Sequence, residues 1–581
     1  MLSNAFSINK IQEHVKKILS IDPKFPLWFY LLVFYICSLF VTGFRIYLSN
    51  NSFQIPLVYI LNDPTLFPND PLVATLPYYA SMLWRFVAFG ARFFSIEKLL
   101  VTLFLLERLL VIYAAGRLAR TFMPGSKLAA IGAMAMFALA PKPILGNGII
   151  VESMFEQTGL AIAFLMLAFS SFYRSHFISS AIWLALGFTV NSMYGTYALT
   201  YLIPVFLMDR SYWSKWKKWV PAGVLFLTIS APTIILTVSA FGVSSSDTNL
   251  WVLASQIRFP HHLYPLDWRM SKFIKFALLA FLIIALLYQY RKTSKQLFRH
   301  GMIWTTVSIG WLFYAFLAAY AFKWPSMLVM HPARATDLWY CVGGITLISL
   351  FAKKITEDES KSRFLLVPFL ASIFFWLTIE ANVVPLLFLG LIALTWNPLW
   401  KYFFLEGSQN RLALIVTVLI TMLAGTSTMK RLKSDGNAFM ISTDKHIREI
   451  AEWARDSTNL RTTFLINPYW DEFRGLSKRS VFVKWRDGSA ILWYRSYVTE
   501  WADRLKAIGF DITKAKVTGW LDQSKLNNCY AELNDEKVQK LQEQYSIDYW
   551  VVALEHTSSF PIAFENHFYK VLLLTDIGAD H

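Results

Sequence analysis

Charge is scarce in this 581-residue chain: Asp, Glu, Lys and Arg make up 16% of it, against 55% hydrophobic residues. That balance excludes an ordinary soluble enzyme and an intrinsically disordered chain, since neither carries so much apolar surface per charge. Cysteine is scarcer still. Cys37 and Cys341 lie in apolar runs and Cys529 stands alone, which leaves no disulfide framework and no cysteine metal site. No glycine-rich phosphate loop opens a helix, so nucleotide binding has no support.

What is present is a series of long apolar runs. A hydrocarbon core about 30 Å thick needs roughly 20 apolar residues per helix. The runs predict spans near 26–46, 98–118, 127–142, 151–172, 177–192, 193–208, 219–241, 272–290, 302–322, 335–352, 363–379, 381–399 and 411–427, about thirteen in all. The expected fold class is therefore a polytopic α-helical membrane protein over residues 1–427, with a long first outer loop at 49–97. Residues 428–581 hold no such run and predict a soluble α/β domain.

Charge is unevenly placed. From Thr428 onward 21 Lys and Arg balance 21 Asp and Glu, so the whole excess of +17 sits in the membrane part. Cations cluster at Arg117, Arg120, Lys215, Lys217, Lys218, Arg291, Lys292, Lys353 and Lys354, which marks cytoplasmic loops rather than a nucleic-acid surface. The N-terminus is then cytoplasmic, and an odd span count puts the C-terminal domain outside, in a periplasmic compartment of a bacterial inner membrane.

With that orientation the unusual polar residues gather on the outer side. The first outer loop carries two Asn-Asp-Pro triplets, with Asp63 and Asp70, followed by "LPYYASMLWRFVAFGARFF", an expected amphipathic interfacial helix. The next turn holds Glu152 and Glu156, four apart and on one face if helical. Later loops carry Arg258, His261 and His262, then Lys323, His331 and Arg334. Each has a bland reading as a turn, a wet helix end or a snorkelling cation. Glu107 and Arg108, inside the second span, suggest a structural ion pair between helices. Taken together, carboxylates, imidazoles and guanidinium groups on one face suit an anionic lipid head group. In the C-terminal domain Trp470, Arg474 and Arg479 follow an expected strand, "TTFLINP", where open sheets present sugar or phosphate sites.

This layout resembles the GT-C superfamily of membrane glycosyltransferases, which includes oligosaccharyltransferase catalytic subunits, protein mannosyltransferases and aminoarabinose transferases. The resemblance implies a polyprenyl-phosphate or polyprenyl-diphosphate sugar donor and an aspartate base in the first outer loop. Asp70, in "FPNDPLV", matches that position best and Asp63 is its rival. By their own chemistry Arg258, His261, His262, Lys323, His331 and Arg334 are expected to hold the phosphate, and Trp470, Arg474 and Arg479 to contact substrate. A divalent metal, magnesium or manganese, if used, would sit on Glu152 and Glu156. The Trp-Trp-Asp sequon-reading motif of oligosaccharyltransferases is absent, so lipid, glycan and protein acceptors stay open. Two other readings remain: a non-catalytic subunit of envelope polysaccharide assembly that keeps the fold, and a lipid transporter.

Overall fold

The computed structural model describes residues 23, 25–140, 143–146, 148–241, 247–357, 408–441, 443–515 and 523–574. Among the described residues six helical segments are long and apolar enough to cross a membrane: Ile96–Phe122, Arg210–Ser239, Met270–Gln289, Lys295–Phe322, Pro325–Glu357 and Asn410–Asp435. Shorter apolar helices, Leu27–Thr42, Lys127–Ala138, Gln157–Tyr173, Phe177–Val190 and Ser192–Met208, pack among them. The chain is thus polytopic and helical. The spans expected at 363–379 and 381–399 lie outside the described residues. The last apolar helix runs on to Asp435, past the expected boundary at 427, and stops at Gly436 with φ of 64°.

The first outer loop is more regular than its turn sequences suggest. Helix Asn51–Asn62 fills its start, and helix Met82–Gly90 follows where the interfacial helix is expected. The latter buries Leu83, Trp84, Val87 and Ala88 and exposes Phe86 and Phe89, with Phe93 and Phe94 exposed just beyond. Four outward phenylalanines suit the boundary of a bilayer. Arg85 folds back to donate to the carbonyls of Pro77, Tyr79 and Ser81.

The C-terminal domain carries a five-stranded sheet in the order β2-β1-β3-β5-β4, with β1 Thr463–Leu465, β2 Ser480–Val481, β3 Tyr549–Ala553, β4 Ile562–Glu565 and β5 Tyr569–Leu573. The expected largely parallel sheet is corrected to a mixed one. β1 runs parallel to β2 and β3, whereas β5 is antiparallel to β3 and β4. The cause is the short link from β4 to β5, since a parallel neighbour needs a crossover of a dozen residues or more. There the Asn566 side chain accepts from the amides of Phe568 and Tyr569 and closes a hairpin. Helix Lys445–Ser457 packs beside the sheet and opens on Asp444, whose carboxylate accepts from the amides of His446 and Ile447. Asp444→Ala is expected to cost about 1 kcal/mol, read as a lower unfolding midpoint.

One apolar core joins the two parts. Phe44, Ile55, Leu57, Leu76 and Trp84 of the first outer loop cluster with Ile450, Phe464, Phe473, Trp501 and Trp550 of the C-terminal domain. Two backbone bonds reinforce the join, Phe44 amide to Phe439 carbonyl (2.9 Å) and Ile441 amide to Phe44 carbonyl (2.8 Å). Gly475 sits so close to Tyr47 that a Cβ there would lie 2.8 Å from its ring. The C-terminal domain is therefore a lid seated on the segment that links the apolar helices Leu27–Thr42 and Ile96–Phe122, not a separate body.

Candidate functional site

Where that lid meets the helix ends there is a cavity of about 470 Å³. Its floor is the start of helix Gln157–Tyr173 and the Asn191–Ser192 junction; its walls come from Ser49 and Asn50, from Arg258 to His262, from His331 and Arg334, and from Arg486 to Arg495.

Both glutamates from the second outer turn face it. The expectation that they share a helix face is corrected: residues 152–156 are irregular, and the helix begins only at Gln157. Glu156 is buried, its Oε1 3.5 Å from the Gln54 side-chain amide, and burial with the nearby Glu152 charge pushes its carboxyl up to about 8. Burial also raises Glu152, opposed by Arg45, Arg334 and Arg486 around it. Below them, Arg108 donates to Ser38 (3.1 Å), to Thr42 (3.3 Å) and to the Glu152 carbonyl, and Glu107 accepts from the Glu156 amide (3.4 Å). The expected Glu107–Arg108 pair is thus two separate braces, because adjacent helical side chains diverge.

Opposite the carboxylates stand four guanidinium groups: Arg258, Arg334, Arg486 and Arg495. Arg258 donates to Ser489 Oγ at 3.1 Å and lies 4.8 Å from the Phe259 ring centroid; burial and Arg486 bring it down to about 9. Arg334 stacks over Tyr194 at 5.6 Å and faces Asp337 at 3.7 Å. Its backbone presses on Gly146, whose φ of 69° and missing Cβ permit the approach. Arg486 is held at 2.8 Å by Asp471, which also accepts from the Ser49 amide at 3.0 Å.

The three histidines belong to the same cavity. The His261 and His262 rings lie 3.9 Å apart and tilted by 47°, and His331 lies 5.5 Å from His262. Burial, then the Arg258 charge, holds His261 down at about 3, and burial likewise keeps His262 well below its ordinary value. These two rings are therefore neutral and act as hydrogen-bonding groups, not cations. His262 Nδ1 donates to the Gly146 carbonyl at 2.6 Å, leaving Nε2 as an acceptor.

Other expected site residues lie elsewhere. Asp70 is 3% exposed and away from the cavity. Its oxygens accept from Arg474 Nε (2.6 Å), Arg474 Nη2 (3.2 Å) and the Val481 amide (2.9 Å), and Asp487 binds the far side of the same guanidinium at 2.8 and 2.9 Å. A carboxylate so enclosed has no path to an acceptor hydroxyl. Asp63 is exposed outside the cavity and accepts from Thr65, as a turn residue does. Lys323 ends a helical turn and does not line the cavity. Trp470 packs on Tyr569 at 4.8 Å, Arg474 is the centre of the ion triad, and Arg479 donates to the carbonyls of Arg455 and Thr458 at a helix end. The C-terminal contacts with the cavity come instead from Arg486, Trp493 and Arg495. Among the described residues no group of three His, Cys, Asp or Glu side chains is placed to hold a metal.

A family described as a domain of unknown function, DUF6798, matches residues 445–508, which include Asp471, Arg474, Arg486 and Arg495. Comparison with curated proteins finds no match. Among solved structures the chain is similar to an oligosaccharyltransferase of Archaeoglobus fulgidus with a tethered acceptor peptide (13% identity, 91% of this chain and 69% of that one, TM-score 0.44). It is similar also to ArnT from Cupriavidus metallidurans (11% identity, 94% and 96%, TM-score 0.45) and to the mycobacterial arabinofuranosyltransferase AftD (13%, 91% and 35%, TM-score 0.43).

Proposed function

We propose that this protein is an inverting membrane glycosyltransferase that takes its sugar from a polyprenyl-phosphate or polyprenyl-diphosphate donor. The observation that carries this reading is the cavity itself, with four guanidinium groups set against the buried Glu156 and the half-buried Glu152 at the ends of membrane helices. Guanidinium forks match phosphate oxygens, and a carboxyl group near neutral pKa suits proton removal from an acceptor hydroxyl. In the step proposed, Glu156 takes the hydroxyl proton as the acceptor oxygen bonds to the sugar C1. The C1–phosphate bond breaks, and Arg258, Arg334 and neutral His261 receive the leaving polyprenyl phosphate. The acceptor is a lipid, glycan or protein on the outer face.

The proposal puts the site on the extracytoplasmic face of a bacterial inner membrane with a cytoplasmic N-terminus, and the placing of cations supports that orientation. Arg174, Lys215, Arg291, Lys353 and Lys354 cluster at the helix ends away from the cavity, joined by bonds such as Lys215 to Ser175 (3.0 Å) and Lys354 to Gln289 (3.4 Å). The test is transfer from a labelled polyprenyl-phosphate sugar by the purified chain, with Arg258→Ala expected to raise the donor KM about tenfold or more. A wild-type chain that binds donor but transfers nothing sinks this reading.

One observation favours a second reading, a non-catalytic subunit of envelope polysaccharide assembly. From the first outer loop Ser49, Asn50, Phe53, Tyr79 and Ala80 line the cavity, and no aspartate of that loop does.

A further inference from the structure

A second cavity, of about 600 Å³, lies at the other end of the bundle. Helix Gln157–Tyr173 starts at the cavity under the lid and ends at the turn that lines this one, 17 residues later. At about 1.5 Å per residue the two are roughly 25 Å apart, on opposite sides of an apolar bundle. The second cavity has two unlike halves. Ser175, His176, Ser179, Lys217 and Lys218 form a polar mouth, while Phe177, Ile178, Ile182 and Trp183 form an apolar wall. Ile178 and Ile182 are exposed side chains of a membrane helix, so that wall continues into the surface that faces lipid tails.

Two independent features make the mouth attractive to an anion. The first is the helix Phe177–Val190, whose cap residue His176 makes no side-chain bond to it. Its first turn, His176 to Ser179, lines the cavity without a side-chain cap, at the positive end of the helix dipole. The second is an excess of cations. Among the described residues no carboxylate stands within ion-pair distance of Lys217, Lys218, or Arg174 in the adjoining turn. Arg174 is lowered by burial and then by Arg117 and Arg120, which places two further cations beside the turn. Trp213 and Trp216, both exposed, flank the lysines as interfacial tryptophans do.

We propose that this cavity binds an anionic glycerophospholipid, its phosphate held by Lys217, Lys218 and the open amides of Phe177–Val190 and its acyl chain laid along Ile178, Ile182 and Trp183. The lipid is a resident of the leaflet opposite the glycosyl-transfer site, and its binding does not depend on that chemistry. A free phosphate would use the mouth alone and leave the apolar wall unfilled.

Native mass spectrometry of the full chain in detergent tests this, with phosphatidylglycerol, phosphatidylethanolamine and inorganic phosphate as probes. Phosphatidylglycerol is expected to bind in preference to phosphatidylethanolamine. The double variant Lys217→Gln/Lys218→Gln is expected to weaken phosphatidylglycerol roughly thirtyfold. Ser179→Asp, which puts a negative charge in the first turn of the helix and repels phosphate, is expected to weaken it likewise while leaving the fold about as stable. Lys353→Gln/Lys354→Gln, which removes two cations at the same end of the bundle but outside the cavity, is the control. Equal loss in that control, or no loss in the cavity variants, overturns the proposal. Displacement of the lipid by millimolar inorganic phosphate would assign the site to a free anion instead.

Discussion

Arg474→Ala is expected to destabilise the folded chain by about 3–5 kcal/mol, the largest stability loss of any single exchange in the lid. Arg474 is fully buried between Asp70 and Asp487, which are themselves buried. Removing the guanidinium strands two carboxylates away from water. Against the cost of burial, the two acids hold Arg474 well above its ordinary value, and Arg474 draws the buried Asp487 down. Arg474→Lys should recover little, because an ammonium cannot fork between two acids. Thermal unfolding in detergent, followed by tryptophan emission, gives the measurement. Asp70→Asn separates structure from chemistry in the same experiment. Its loss of transfer is expected to match its loss of folded protein, with turnover per folded molecule unchanged. A fall in turnover at an unchanged unfolding midpoint would restore Asp70 as the base.

That triad shows where sequence reading reaches its limit. "FPNDPLV" announces a turn, and the turn is there, but the partner that decides its role lies 404 residues away. Burial of an aspartate by a distant arginine leaves no local periodicity or spacing to read. Helices were more legible. Lys445–Ser457 carries Ile447, Ile450, Ala451 and Ala454 at helical spacing directly after Asp444, a capping residue type. The strand Ile562–Glu565 was not legible, since four residues on the sheet edge, mostly exposed, carry no buried alternation. The candidate site was half visible. One-sided placement of Glu152, Glu156, Arg258, His261, His262, His331 and Arg334 identified the residues that meet in the cavity. Arg486 and Arg495 were missed, although Arg486 follows the strand run "RSVFVKW", where a sheet presents side chains beyond its carboxyl ends.

Glu156→Gln is expected to reduce turnover by about 10²–10⁴-fold, the ordinary share of a positioned general base. The pH dependence gives the sharper reading. Glu156 stands at about 8 when folded, raised first by burial and then by Glu152. Only its ionised form accepts a proton, so turnover should rise with pH through about 8 and level off above it. Stability moves the other way. Between the ordinary carboxyl range and about 8 the folded chain binds more protons at this site than the unfolded chain, so its contribution to stability falls as pH rises. In Glu156→Gln the rising limb should vanish together with most of the turnover. Glu152→Gln should instead keep the limb and move it to lower pH, because one negative neighbour is lost. Its turnover should fall less than that of Glu156→Gln. A limb unmoved in Glu152→Gln and intact in Glu156→Gln would remove both carboxylates from the proton step and leave the cavity as a binding site alone.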